Sequence, residues 1–120
     1  MYKRQALEIY RALAKTNPQA YSSDVSMTLN NLAILYYKVN RIKEAEEAYL
    51  EALEIYRALA KTNPQAYGID LANSLVMGVV LLNQPIGNLD EAEDILKSFR
   101  EIPKAEWLLK KIEEIRSEPK

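Results

Sequence analysis

An all-α fold, an antiparallel helix-pair solenoid of about six helices, is the class this sequence predicts, and three observations predict it. Residues 6–21 read ALEIYRALAKTNPQAY, and residues 52–67 repeat the same sixteen letters at an offset of 46 residues. A fixed period of tens of residues marks a repeat array, in which each unit buries its apolar face by stacking on a neighbour. Apolar residues recur at three and four along most of the chain, the spacing of one helical face. Asn17-Pro18, Asn40-Arg41, Asn63-Pro64 and NQPIGN at 83–88 supply the breaks between such faces.

Composition bounds the rest. The chain has 120 residues, 48% hydrophobic and 28% charged, enough for one ordered domain spanning 1–120. Sixteen basic and 17 acidic residues leave a net charge of −1, which draws in neither nucleic acid nor an anionic membrane. Cysteine and histidine are both absent. Disulfides and thiolate metal sites are thereby excluded, and the commonest acid–base group is missing. No catalytic, cofactor-binding or metal-binding residue is expected. The start, MYKRQALEIYRAL, lacks the apolar core and cleavage site of a signal peptide. The unbroken apolar runs, Val79 to Leu82 among them, are too short to span a membrane. A cytoplasmic location is expected.

The first helix covers 2–15, with Ala6, Leu7, Ile9, Tyr10, Leu13 and Ala14 as its apolar side. Asn17 breaks it, since a residue before proline avoids helical geometry, and can cap the next helix with Pro18 at the first position. Ser22 and Ser23 are alternative caps. The second helix runs to about Val39, with Leu29, Leu32, Ala33 and Tyr36 buried. Asn40 takes the left-handed turn position that usually wants glycine. The third helix spans Ile42 to Lys61 and meets partners on two sides. Ala33, Ala45 and Ala52 are expected at close helix crossings.

The fourth helix starts at Pro64 or Gly68 and ends at Leu82, and Gly78 inside it costs about 1 kcal/mol against alanine. Gly87 fits the helix-ending position, and Asn88 with Glu91 reads as a capping box for a fifth helix, LDEAEDILKSFREI. A sixth helix, about 104–116, follows Pro103. Trp107 reads as packed or partly exposed rather than as a cofactor platform.

These residues resemble a known family. Leu29, Leu32, Ala33, Tyr36, Ala45, Tyr49 and Ala52 have the spacing of the tetratricopeptide repeat. The openings and closes LNNLA, EAEEAY and ALEIY resemble its longer, kinesin-light-chain-like variety. The resemblance divides the chain into a half repeat at 2–15, full repeats at 18–61 and 64–102, and a capping helix at 104–116. It implies a superhelix whose concave face, made by first helices, binds a peptide or protein segment. That face would show Met27, Asn30, Asn31, Ile34, Tyr37 and Lys38, then Asn73, Val76, Met77 and Val80. The resemblance implies that Asn31 matches a family asparagine that often hydrogen-bonds an extended peptide backbone. The second-unit equivalent is Met77, and Lys38 alone does not make a carboxylate clamp.

Two other readings bear on function. The half repeat copies a second helix with no helix ahead of it in this sequence, so Ala6, Leu7, Ile9, Tyr10, Leu13 and Ala14 are expected to form a homodimer contact. A purely structural, self-assembling fragment is the alternative to peptide binding. Enzyme chemistry would fall to Glu44, Glu47 and Glu51, or to Glu91, Asp94 and Glu101. At helical spacing beside Lys43, Lys97 and Arg100 these read as an ion-paired surface.

Overall fold

The structure, a computed structural model, describes residues 2–118, with the side chains of residues 2–4, 6, 14 and 18–20 outside the described set. Among the described residues there are six α-helices, one 3-10 turn and no strand, the all-α class that the periodicity predicts. The helices are α1 (Tyr2–Thr16), α2 (Pro18–Lys38), α3 (Ile42–Thr62), α4 (Pro64–Leu82), α5 (Asn88–Leu96) and α6 (Pro103–Ser117). They form two compact units, which divide between Thr62 and Asn63.

The first unit holds α1 to α3, with α2 packed against both others. Val25, Leu29, Leu32, Ala33 and Tyr36 form the buried stripe of α2. Ala45, Ala48, Tyr49, Ala52, Leu53 and Tyr56 do the same for α3. Ala33, Ala45 and Ala52 are at most 1% exposed, as small side chains at close crossings should be. The turn after α2 closes as a Schellman motif. Asn40 has φ 63°, Asn40 N–H donates to the Tyr37 carbonyl at 3.1 Å, and Arg41 N–H donates to the Tyr36 carbonyl at 2.8 Å. Arg41 then lies over the Tyr36 ring, 4.9 Å from its centroid, and its Nε donates to Glu44 at 2.8 Å.

The second unit holds α4 to α6, and each of the three packs against the other two. Leu71, Leu75, Leu89, Leu96, Leu108 and Ile112 lie in its core. Complete burial of such side chains contributes about 1.5–3 kcal/mol each. Asn63 caps α4, its side-chain oxygen accepting from Ala66 N–H at 3.2 Å, and Pro64 takes the first helical position. Arg116 on α6 donates to Asp90 and to Glu93 on α5, the latter at 3.1 Å.

Two details of this unit depart from the sequence reading. The left-handed residue that ends α4 is Asn83, φ 53°, and not Gly87, whose φ of −60° is right-handed. Asn83 follows Leu82 directly, and with Gln84 it turns its N–H toward the Gly78 carbonyl, so the helix is closed before Gly87 is reached. Gly87 stands at the N-cap of α5 and Asn88 is already helical, so Asn88 is not the capping residue. Asp90 and Glu91 instead place negative charge in the first turn, where the helix dipole favours it.

The fifth helix is also shorter than expected. It stops at Leu96, and Lys97–Phe99 tightens into a 3-10 turn. That turn seats Phe99 on α4, where a Cβ built on Gly68 would lie 3.0 Å from the ring. Ile102, ahead of Pro103, is extended at φ −92° and ψ 124°, which stops any further helix.

One further difference concerns α4 as a whole. By length and composition it is long and apolar enough to cross a membrane, although its unbroken apolar run is short. Hydropathy averages over the helix, so Asn73 and Ser74 interrupt the run without lowering the mean enough to fail the test. A soluble core helix passes the same test, and 44% of that window is buried within the fold.

Candidate functional site

α2 carries two faces set by its period. The buried stripe packs against α1 and α3. Met27, Asn31, Ile34 and Lys38, at spacings of four, three and four, lie along another side, with Asn30 and Tyr37 flanking them. Met27 is 53% and Tyr37 38% exposed, Asn31 and Lys38 are exposed, and Asn30 and Ile34 are half-buried. All six of the residues anticipated on this helix therefore reach its surface at least in part.

On α4 the four anticipated residues divide. Val80 is exposed, Asn73 and Met77 are half-buried, and Val76 is buried at 4% exposure. They line one cavity of about 210 Å³ with Leu81 of α4 and Trp107, Leu108 and Lys111 of α6. Trp107 and Lys111 stand one helical turn apart, with the ammonium 5.6 Å from the ring centroid. The sequence reading missed this contribution from α6. Its signal was the pairing of a large aromatic with a lysine at that spacing.

α1 also divides. Leu7 is buried and faces Leu29 and Leu32, so it serves the fold. Tyr10 is half-buried, while Ile9 and Leu13 are exposed. Ala6 and Ala14 lie outside the described residues.

Two of the candidate carboxylates, Glu44 and Glu51, sit in surface ion pairs. Glu44, Glu47 and Glu51 rim a cavity of about 170 Å³ whose floor includes Leu7, Leu29 and Tyr36. Glu51 pairs with Arg11 at 2.6 Å, which ties α1 to α3. The Arg41 hydrogen bond holds Glu44 below the usual carboxylate range. A catalytic acid in glycoside hydrolysis needs the opposite shift. Asp94 and Glu101 are exposed and Glu91 is half-buried. Among the described residues no group of three or more His, Cys, Asp or Glu is placed to hold a metal ion.

Residues 25–65, from within α2 across α3, match the family model of the tetratricopeptide repeat. That stretch is similar to a tetratricopeptide repeat. No curated protein and no solved structure matches the chain. Repeats of this type are characteristically non-catalytic scaffolds. A protein-interaction scaffold is the general role that the repeat and the all-helical fold fit.

Proposed function

We propose that the chain holds an extended peptide or protein segment on the outward face of α2 in the first unit, using Met27, Asn30, Asn31, Ile34, Tyr37 and Lys38, and that Asn73, Met77 and Val80 of α4, with Val76 beneath, form a face of the second unit that can hold such a segment by itself. The observation that carries this reading is the outward stripe of α2. It sets Met27, 53% exposed, and Tyr37, 38% exposed, beside Asn31 within the matched repeat. Exposed apolar groups beside a hydrogen-bonding amide suit an extended chain, whose backbone offers both donors and acceptors. Titration calorimetry with a peptide selected on the chain tests it. Asn31→Ala should weaken binding by about 1 kcal/mol or more, and equal affinity would remove Asn31 from the site.

The repeat is further proposed to be of the kinesin-light-chain-like variety. Its 46-residue offset exceeds the ~34 residues of the ordinary repeat. A cytoplasmic location, with neither nucleic acid nor membrane as partner, is proposed from the net charge of −1. Oligonucleotide binding at low salt would contradict that exclusion.

Self-association as a homodimer is the second reading, and one observation favours it. Ile9 is 60% and Leu13 36% exposed on α1. Sedimentation equilibrium decides. A 13.7 kDa species persisting at high micromolar concentration would defeat the dimer. If a dimer forms, Ile9→Glu or Leu13→Glu should dissociate it with helix content kept.

A further inference from the structure

We infer that two copies of the chain pair through the outward faces of α1, antiparallel and related by a two-fold axis, with Glu8 of each copy set against Lys15 of the other. The inference rests on the self-association reading above and names the arrangement which that reading leaves open. Leu7 is 6% exposed and fixes the side of α1 that meets the fold. At about 100° of turn per residue, Ile9, Ala12 and Thr16 fall on the opposite side, and all three are exposed. Their spacing of three and four is that of a seam between two helices. Ile9 is 60% exposed, so a helix laid along this seam would cover apolar surface that now meets water.

Charge selects a second copy as that helix and fixes its direction. Glu8 and Lys15 are both exposed and stand at the same position of successive heptads, so they flank the same edge of the seam. In an antiparallel pair each such edge runs beside the same edge of the partner. Reversal about a point between Arg11 and Ala12 brings Glu8 to Lys15 and Lys15 to Glu8, so one axis matches both charges of both copies. A parallel pair would set Glu8 against Leu13 on the other edge, where it meets no charge. The same letters recur on α3 with Glu54 and Lys61 as the charges, but Ile55 and Leu59 are half-buried there, whereas Ile9 and Leu13 are exposed. α1 therefore presents the seam more fully. A helix of 15 residues offers less contact than the roughly 800 Å² per partner of a standard interface. The pair is accordingly weak enough for charge to make or break it.

Sedimentation equilibrium of the full chain at low salt, with charge-reversed variants, tests this. The parent should dimerise at micromolar concentration. Glu8→Lys and Lys15→Glu should each weaken the dimer by about tenfold or more, since the two-fold axis makes each change oppose like charges twice. Glu8→Lys combined with Lys15→Glu should return it to within about threefold of the parent. Glu54→Lys, the same change on α3, should leave it unmoved, and the circular dichroism of every variant should match that of the parent. Single variants that dimerise as the parent does, or a double variant no better than the singles, would overturn the Glu8–Lys15 pairing while self-association itself stands. Growth beyond two copies would overturn the closed two-fold arrangement. A monomer persisting at high micromolar concentration would overturn both readings.

Discussion

The sixteen identical residues at 6–21 and 52–67 occupy two environments, and the contrast separates what local sequence decides from what packing decides. Both copies form a helix, break at Asn-Pro and start the next helix at the proline. Their N-cap backbones agree closely, with φ −147° and ψ 76° at Asn17 against φ −144° and ψ 75° at Asn63. Leu7 and Leu53 are both buried, at 6% and 4% exposure. The copies part at neighbouring positions. Tyr56 is buried where Tyr10 is half-buried, and Ile55 and Leu59 are half-buried where Ile9 and Leu13 are exposed. Identical letters rule out propensity as the cause. What each helix packs against, and the longer run of α3 ahead of the shared segment, make the difference.

The largest expected effect breaks this pair directly. Tyr56→Ala should cost about 3–5 kcal/mol, as for a buried aromatic, and Tyr10→Ala about half of that or less. Urea midpoints on the two variants compare them, and equal losses would show that the environments do not differ. Leu7→Ala and Leu53→Ala provide the control. Each should cost about 2–5 kcal/mol, and the two losses should agree within about 1 kcal/mol if both positions are core.

The duplication ends where the first copy has Ser22 and the second has Gly68 at the equivalent position, and that single difference has a structural reason. Ser22 is half-buried, whereas a Cβ at Gly68 would press on Phe99 at 3.0 Å and on Ile95 at 3.4 Å. Gly68→Val should therefore cost about 1–3 kcal/mol by overpacking, while Ser22→Val stays within about 0.5 kcal/mol. Thermal melts of both would sharpen the comparison, and a neutral Gly68→Val would mean that the Phe99 contact yields freely.

The element order, the breaks at Asn17, Asn40 and Asn63, and the buried stripes of α2 and α3 were all legible in the sequence, because period and cap chemistry act locally. The end of α5 was not. Phe99 turns inward to meet Gly68, a contact between residues far apart in the chain, and the helix tightens into a 3-10 turn to allow it. Gly87 misled because Asn83 is equally able to turn left-handed and comes first. On the candidate faces, periodicity located the outward side of α2. It could not show that α6 brings Trp107 and Lys111 to α4, since that pairing depends on how the sixth helix packs.

Smaller effects refine the picture. Asn63→Ala should cost about 1 kcal/mol through the lost cap bond, and Asn17→Ala only a few tenths, since Asn17 makes no side-chain cap bond. Chemical denaturation resolves the two, and equal costs would contradict the difference in capping. The least effect concerns Glu44, whose pKa is lowered by Arg41. A depressed carboxylate contributes stability above its unfolded pKa and loses it as pH falls through the folded one. Glu44→Gln should slightly flatten the acid limb of the stability profile, and an unchanged limb would remove the pair from the account.

The most direct test of a scaffold that binds through its first-helix faces is a nuclear magnetic resonance titration of the isotope-labelled chain with a selected peptide. The account predicts shift changes at Met27, Asn31, Ile34 and Lys38 on α2 for a peptide held by the first unit, or at Met77 and Val80 on α4 for one held by the second, with Ile9 and Leu13 on α1 unmoved. Changes confined to α1, or spread evenly over both copies of the repeated segment, would contradict it.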